Sequence, residues 1–326
     1  MIQNSMKTKV VGVDIGLERT SYAIVDVRGH ILAKNTFQTP GDCSINDFIS
    51  TLCERIVMLV EENCGYENIR SLGVSVPNGN YMTGNIENAG NLPWKGVIPL
   101  SALLRDRLGL AVAVANDAYS RALGEWSYGI AHGMKDFLFI TLGYGFGSCL
   151  YSNGHPHLGN NGFAGEVGHC CVVPEGRLCS CGMRGCLEAY CATAGILQTA
   201  KEVLIASKKT SLMRGRKDLT PKLISEFCDQ GDELAIEVYR RTGFTLGVGL
   251  ANYASVVNPE AIIITGGISK AGKWLLEPMD KSFESHVFHN VENKVKILLS
   301  SLNDEERNVL GAGALAWRVK EYSLFK

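Results

Sequence analysis

The stretch that says most about the fold runs from Glu166 to Glu188 and reads EVGHCCVVPEGRLCSCGMRGCLE. It contains one histidine and three cysteines at close spacing, His169, Cys179, Cys181 and Cys186. One imidazole and three thiolates are the donors that tetrahedral Zn²⁺ takes in a closed structural site. Gly176, Gly182 and Gly185 in the same stretch permit the tight turns that such a site needs. The pattern predicts a structural zinc site, and the alternative is chance clustering in a chain with 11 cysteines.

The composition is that of a globular protein. The 326 residues are 46% hydrophobic and 20% charged, which is enough chain for two domains with separate cores. A net charge of -1 leaves no basic excess, so nucleic acid is not an expected partner. No secretory signal pattern and no apolar run of about 18 residues are present, so no membrane partner is expected.

Cysteine usage predicts a cellular compartment. Eight cysteines lie outside the zinc pattern and are scattered among apolar neighbours rather than spaced as a disulfide framework. Free thiols of this kind behave as small core residues in a reducing environment. We therefore expect a cytoplasmic protein in which these eight side chains are buried.

Strands and helices alternate along the chain, which predicts an α/β fold. Strands are predicted at 9–14, 21–27, 30–37, 71–76, 112–115, 137–141, 148–152 and 261–265. Helices are predicted at 45–62, 118–126, 192–207, 232–257 and 306–321. The strand, glycine turn and strand at 137–152 resemble the unit at 10–27, and this repetition predicts two duplicated halves.

Three motifs stand where predicted strands end, the place at which α/β sheets bind ligands. Gly143-Tyr144-Gly145-Phe146-Gly147 either brings backbone N–H groups onto phosphate oxygens or forms a tight hairpin. Gly266-Gly267 either lets a nucleotide lie against the backbone or forms a helix-capping turn. Asp14-Ile15-Gly16 places a carboxylate where a hydrated Mg²⁺ could be held.

Taken together and in order, these motifs resemble the ROK family of sugar kinases and sugar-responsive repressors. The resemblance rests on Asp14-x-Gly16, Asn116-Asp117, Gly143-x-Gly145-x-Gly147, Glu166-x-x-His169, Cys179-x-Cys181-x4-Cys186-x-Glu188 and Gly266-Gly267. It covers essentially the whole chain. It implies an actin-like ATPase fold, with two ribonuclease-H-like domains facing a central cleft and a zinc-stapled loop in the larger domain. The expected domains are 1–115 plus 305–326, and 116–304.

The resemblance also implies roles for individual residues. Asp117, which by itself is more simply explained as a helix N-cap, matches the general base that takes a proton from the sugar hydroxyl, and together with the other motifs this favours catalysis. The implied sugar contacts are Asn91, Asn116, Asp117, Glu166, His169 and Glu188. The implied nucleotide-binding residues are Asp14, Gly16, Thr20, Gly143, Gly145, Gly147, Gly266 and Gly267. His169 would bind zinc through one ring nitrogen and face the sugar with the other.

Two functions follow from the resemblance. The first is an ATP-dependent kinase that phosphorylates a hydroxyl, expected to be O6, of a hexose or N-acetylhexosamine such as glucose. The expected cofactors are structural Zn²⁺ and Mg²⁺. The expected assembly is a homodimer or a dimer of dimers. The second is a sugar-binding sensor without catalysis, or with weakened catalysis. Repressors of the family carry a winged helix before the first strand, and the residues before Asp14 are too few for one.

The first phosphate loop departs from the family pattern. Leu17-Glu18-Arg19-Thr20 follows Gly16, where the family has a second glycine, a threonine and a basic residue. Leu17 and Glu18 place bulk and negative charge where the backbone should approach phosphate, and this favours the sensor. A third interpretation, a zinc-stapled module without a ligand, leaves Asn116, Asp117 and Glu166 unexplained.

Overall fold

The computed structural model describes residues 7–90 and 92–319. The described residues form two compact units, the first within 1–133, 158–163 and 301–326, the second within 134–157 and 164–300. Among the residues described, no helix combines the length and apolar character needed to cross a membrane.

Twelve strands and nine helices are defined within that part of the chain. The strands are β1 (Lys9–Ile15), β2 (Arg19–Asp26), β3 (Ile31–Gln38), β4 (Ile69–Ser75), β5 (Ile86–Glu87), β6 (Val97–Ile98), β7 (Ala111–Ala115), β8 (Phe137–Leu142), β9 (Phe146–Ser152), β10 (His155–Pro156), β11 (Ala261–Thr265) and β12 (Lys296–Leu299). The helices are α1 (Ile45–Asn63), α2 (Leu100–Leu108), α3 (Asp117–Tyr128), α4 (Glu188–Cys191), α5 (Thr193–Ala206), α6 (Pro221–Asp229), α7 (Glu233–Val257), α8 (Lys273–His286) and α9 (Arg307–Trp317).

Each unit is built on a five-stranded mixed sheet of the same topology. The strand order is β3-β2-β1-β4-β7 in the first unit and β10-β9-β8-β11-β12 in the second. In both, three antiparallel strands formed by consecutive hairpins are followed by two parallel strands. The predicted α/β class and the predicted duplication are therefore confirmed.

Two glycines allow α9 to lie directly on the first sheet. A Cβ atom on Gly12 of β1 would stand 2.3 Å from the backbone oxygen of Val309, and one on Gly73 of β4 would stand 2.0 Å from that of Ala312. Real Cβ atoms do not approach backbone atoms this closely, so any larger residue must push the helix away. The central strands are consequently buried on both faces, and β1 is covered from Val10 to Ile15.

Replacing Gly73 by Ala is expected to destabilise the protein, because the new methyl group meets the rigid backbone of α9. Overpacking of this kind costs about 1–3 kcal/mol or more. Gly41→Ala is the matched control, since nothing lies within 4 Å of a Cβ there. Denaturant unfolding of the two variants checks the prediction. A Gly73→Ala protein as stable as wild type would show that α9 can move away at no cost.

Close packing of α3 against α9 also explains where the boundary between the two units lies in the sequence. A Cβ on Gly311 of α9 would stand 2.4 Å from the backbone oxygen of Ser120 in α3, and one on Gly124 would stand 3.1 Å from the Gly311 Cα. Because α3 packs on α9 at backbone contact, residues 116–133 belong to the first unit. This differs from the predicted division, which begins the second domain at 116 and returns to the first at 305 instead of 301.

Four helices of the structure are missing from the sequence-based prediction: α2, α4, α6 and α8. α4 has four residues, and α2 and α6 have nine each, too short for a strong helical period. α8 contains Pro278 in its interior, a residue that ordinarily indicates a break. In the other direction, the predicted final helix at 306–321 ends at Trp317, and residues 320 and 321 lie outside the described part.

The expectation that all eight remaining cysteines are core residues is wrong for two of them. Cys53, Cys149, Cys191 and Cys228 are buried, and Cys43 and Cys64 are half-buried. Cys170 and Cys171 are exposed because they follow His169 in a segment outside the sheets and helices.

Candidate functional site

The four predicted zinc ligands come together in the second unit. One ligand atom from each of His169, Cys179, Cys181 and Cys186 lies within 4.8 Å of all the others. The loops that carry them are joined by a short antiparallel bridge between Cys171 and Cys186 and another between Leu178 and Arg184. Positive φ angles at Gly182 and Gly185 turn the chain between the last two cysteines.

Distances within this cluster match those of a tetrahedral metal site. The Sγ atoms of Cys181 and Cys186 are 3.7 Å apart, and the Sγ of Cys179 lies 3.7 Å from Nδ1 of His169. Four ligands at a Zn–S distance of 2.3 Å would stand about 3.8 Å from one another. Burial, together with the thiols of Cys181 and Cys179, raises the pKa of Cys186 to about 12. A raised pKa means that forming the thiolate costs free energy. A divalent cation would remove this cost by stabilising the thiolates, so the donor set fits zinc.

Glu188 joins the cysteine cluster to the glycine turn. Its Oε1 accepts a hydrogen bond from Ser180 Oγ at 2.7 Å, and its Oε2 accepts one from the backbone N–H of Phe146 at 2.9 Å. Gly145 permits this approach, since a Cβ there would stand 3.2 Å from Oε2. The predicted sugar contact therefore also fixes the conformation of the loop between β8 and β9. Oε1 also accepts from the Cys179 thiol at 3.5 Å, whereas Oε2 keeps a second acceptor position.

The predicted glycine sites of the second unit meet at one edge of its sheet. β8 and β11 are parallel, with Thr141 opposite Thr265, so the turns after them leave the sheet side by side. Gly266 has φ +97°, and a Cβ there would stand 2.2 Å from the backbone oxygen of Leu142. Gly143 is held by the N–H and hydroxyl of Thr193, at 3.0 and 2.9 Å from its carbonyl oxygen.

The glycine turn is shorter than predicted. Phe146 already pairs with Leu142, and Gly147 pairs with Thr141 inside β9, so the turn itself is Gly143 to Gly145. Its central residue, Tyr144, is 81% exposed. Gly147 thus lies in a strand and not in the loop to which the sequence assigned it, because the ladder continues to the end of β8.

Asp14 is the penultimate residue of β1, and each oxygen of its carboxylate accepts one hydrogen bond. Ser75 Oγ donates to Oδ1 at 2.9 Å, and Asn308 Nδ2 donates to Oδ2 at 2.8 Å. Burial raises the pKa of Asp14 above its ordinary value, and Arg121, Ser75 and Asn308 offset part of the rise. A carboxylate placed at a strand end and costly to ionise is suited to a cation, which would restore the charged form.

The first phosphate loop is a tight hairpin turn between β1 and β2. The N–H of Gly16 donates to the backbone oxygen of Arg19 at 3.0 Å, and Ile15 pairs with Thr20. Leu17, Glu18 and Arg19 are exposed. The predicted nucleotide contact at Thr20 is not at the surface: the side chain is fully buried and its hydroxyl is 2.8 Å from that of Thr39.

Asn116 and Asp117 begin α3 directly after β7. Asn116 is the N-cap, with its Oδ1 accepting from the N–H of Tyr119 at 2.7 Å. Asp117 is the first helical residue, so Asn116, and not Asp117, caps the helix. The Asp117 carboxylate is 36% exposed and contacts Arg121 at 3.2 Å. β1, β4 and β7 are parallel, which brings Asp14 and Asn116 to the same edge of the sheet.

Other predicted site residues are placed as follows. Glu166 precedes a short 3₁₀ turn that ends at His169, and both side chains are half-buried. Asn91 lies outside the described residues. Three residues in contact with the predicted site, Ser75, Arg121 and Asn308, were not found from the sequence. The i,i+4 spacing of Asp117 and Arg121 was an available signal, but Asn308 is 294 positions from Asp14 and only the fold brings them together.

Asp14→Asn is expected to make the protein more stable at neutral pH, because the variant no longer has a buried group whose ionisation opposes folding. The pKa of Asp14 is raised on folding above its value of 3.8 in the unfolded chain. Ionisation of such an acid lowers the stability of the folded protein at pH values above 3.8, and this loss of stability fades as the pH falls towards 3.8. Thermal unfolding at neutral pH and near pH 4 checks this. A stabilisation that is the same at both pH values would show that ionisation is not its cause.

Comparison with known proteins confirms the predicted resemblance. The sequence profile of the ROK family matches residues 10–319. The chain belongs to the ROK family.

Relatives of this ROK protein include both enzymes and repressors. It is 34% identical to a glucokinase from Halalkalibacterium halodurans, over 95% of this chain and 94% of the relative. It is similar to the crystal structure of a ROK family glucokinase from Streptomyces griseus in complex with glucose and AMPPNP, with 31% identity, a TM-score of 0.78, and 95% and 99% of the two chains covered. It is 25% identical to a xylose repressor from Caldicellulosiruptor bescii, over 90% of this chain and 75% of the repressor. The actin-like ATPase fold of this family, α/β with mixed sheets, is therefore the fold of this protein.

Proposed function

We propose that this ROK protein is an ATP-dependent hexose kinase that transfers the γ-phosphoryl group of ATP to a sugar hydroxyl, O6 of glucose in the first instance. The observation that carries the proposal is the likeness, over nearly the whole length of both chains, to a glucokinase that binds glucose and AMPPNP. The position of Asp117 also supports the kinase, since this residue lies directly after the edge of the sheet and its carboxylate is partly exposed, as a general base requires.

Asp117 is the proposed general base. It accepts the proton of the sugar hydroxyl while the oxygen forms a bond to the γ-phosphorus and the bond to ADP breaks. Asp117 Oδ1 accepts from the N–H of Ala118 at 3.0 Å and Oδ2 contacts Arg121, so the carboxylate is held on both oxygens and each keeps a lone pair for the proton. Mg²⁺, when bound, would neutralise charge on the phosphates, and Asp14 is the residue we propose to hold it.

The remaining assignments come from the resemblance. The proposed sugar contacts besides Asp117 are Asn91, Asn116, Glu166, His169 and Glu188. The proposed nucleotide contacts in the second unit are the backbone at Gly143 and Gly145 and at Gly266 and Gly267, which lie at one sheet edge. The N–H of Gly143 itself donates to the carbonyl oxygen of Gly145 within the turn. In the first unit, Gly16 is retained as a nucleotide contact and buried Thr20 is not.

We propose a structural zinc ion at His169, Cys179, Cys181 and Cys186. The support is the convergence of the four ligand atoms. Since Nδ1 of His169 faces Cys179, its Nε2 is the nitrogen available to a sugar hydroxyl. Zinc would thereby fix the orientation of a substrate contact as well as the loop. Assembly as a homodimer and a cytoplasmic location stay predictions.

A sugar sensor with weak or no catalysis is the second candidate. One observation favours it: Glu18 is exposed in the turn that follows Asp14, where it adds negative charge near the proposed phosphate site. The similarity to xylose repressors is consistent with a sensor, since these relatives are named for repression and not for catalysis.

A coupled assay of ADP release with Mg-ATP tests the two candidates on a panel of hexoses and N-acetylhexosamines. Turnover that requires both ATP and one sugar is expected and establishes the kinase. Sugar binding measured by calorimetry without turnover on any member of the panel would contradict the kinase and favour the sensor. A Glu18→Gly variant that gains turnover would then identify the turn as the cause.

A further inference from the structure

A chain of polar side chains connects the proposed base to the carboxylate proposed for magnesium. Nη1 of Arg121 lies 3.2 Å from Oδ2 of Asp117. Nε of the same guanidinium donates to Oδ1 of Asn308 at 2.9 Å. Nδ2 of Asn308 donates to Oδ2 of Asp14 at 2.8 Å. All four residues belong to the first unit.

Close packing of two helices makes this arrangement possible. Arg121 and Asp117 lie one turn apart on α3, and Asn308 lies in the first turn of α9. The two helices meet at backbone contact at Gly311, so side chains from both reach the edge of the sheet where β1 ends. The Arg121 side chain is only 19% exposed.

An ordinary ion pair between helical residues four apart is exposed to solvent and does not require packing against a second helix. Such pairs contribute little to stability and leave the guanidinium mobile. Here the guanidinium is held at two different nitrogens by acceptors from two helices. A planar fork fixed in this way has one orientation, and it imposes that orientation on the carboxylate it contacts.

We propose that Arg121 is a positioning residue for phosphoryl transfer, which orients the Asp117 carboxylate and holds it in fixed relation to Asp14 through Asn308. The inference rests on the proposed kinase function. The base must meet the sugar hydroxyl while the metal-bound phosphate lies in line with it, so the relative placement of the two carboxylates affects the rate directly. Once Asp117 has taken the proton, its negative charge is lost, and the positive charge of Arg121 stays beside it.

Arg121→Met tests this inference in the ADP-release assay, beside the wild-type protein. Methionine keeps the apolar stem and removes both hydrogen bonds. We expect kcat to fall by about 10²-fold, the effect typical of a misplaced catalytic group, with the KM for the sugar little changed. Arg105→Met is the matched control, because Arg105 is an exposed arginine of α2 whose guanidinium bonds its neighbour Asp106.

Two further variants separate positioning from charge and from folding. Lysine at 121 restores the charge but cannot bond Asp117 and Asn308 in one fixed geometry, so Arg121→Lys should recover only part of kcat. The loss of kcat in Arg121→Met combined with Asn308→Ala should be smaller than the product of the two single losses, since both changes break one chain of contacts.

The outcomes distinguish this inference from the proposed function. An Arg121→Met protein with wild-type kcat, measured beside an active wild-type enzyme, overturns the inference and leaves the kinase intact. Full recovery of kcat in Arg121→Lys, or losses of kcat that multiply in the double variant, would overturn the claim that one guanidinium fixes both Asp117 and Asn308. Thermal unfolding of each variant shows whether a loss of rate comes with a loss of fold.

Discussion

Asp117→Asn is expected to lower kcat by about 10²–10⁴-fold, because an amide cannot accept the proton of the attacking hydroxyl. The substitution preserves shape. The amide oxygen can still accept from the N–H of Ala118 or from Arg121, the two donors that hold the carboxylate in the wild type. The first turn of α3 is capped by Asn116 and stays capped. The variant therefore isolates the chemistry of the base from the fold around it.

The measurement is steady-state ADP release on the sugar that gives wild-type turnover, together with sugar binding by calorimetry. Binding should persist in Asp117→Asn, since the other proposed sugar contacts are unchanged. Asp106→Asn is the matched control, because Asp106 is an exposed carboxylate of α2 that contacts Arg105. Wild-type turnover in Asp117→Asn would exclude Asp117 as the base and leave the identity of the base open.

Cys181→Ser is expected to remove zinc and with it the order of the loops that carry His169 and Glu188. Structural zinc contributes about 10–16 kcal/mol to folding in zinc-finger peptides. The second unit has its own large apolar core, so we expect local disorder and a lower Tm but not global unfolding. Activity should fall too. Ser180 donates to Glu188, and Glu188 holds the glycine turn at Phe146, so disorder at Cys181 reaches the turn through two hydrogen bonds.

Zinc content by mass spectrometry of the native protein and thermal unfolding check this prediction. Cys171→Ser is the matched control, since Cys171 is exposed, belongs to the same segment and lies outside the four-ligand cluster. That control should keep one zinc per chain. A Cys181→Ser protein that keeps zinc, wild-type Tm and full activity would show that the fourth ligand is dispensable and that the cluster does not stabilise the loop.

The sequence by itself determined the architecture, because the features that specify it are local. Alternating apolar segments predicted the central strands, and the similar units at 10–27 and 137–152 predicted two sheets of one topology. The spacing of the histidine and the three cysteines predicted a cluster whose ligand atoms do converge. Short turns hold these ligands close along the chain, so their meeting requires no distant contact. Elements with weak local signals were missed, α8 with its internal proline among them.

Only the tertiary structure decided how the individual groups are set for chemistry. Thr20 carries the hydroxyl expected at a phosphate loop, yet the third strand of its sheet brings Thr39 against it and buries it. Gly147 belongs to a strand because the β8–β9 ladder extends to Leu142. The link from Asp117 through Arg121 and Asn308 to Asp14 joins residues far apart in the chain. Contacts of this kind depend on how closely α3 and α9 pack, and a local sequence pattern carries no information about that distance.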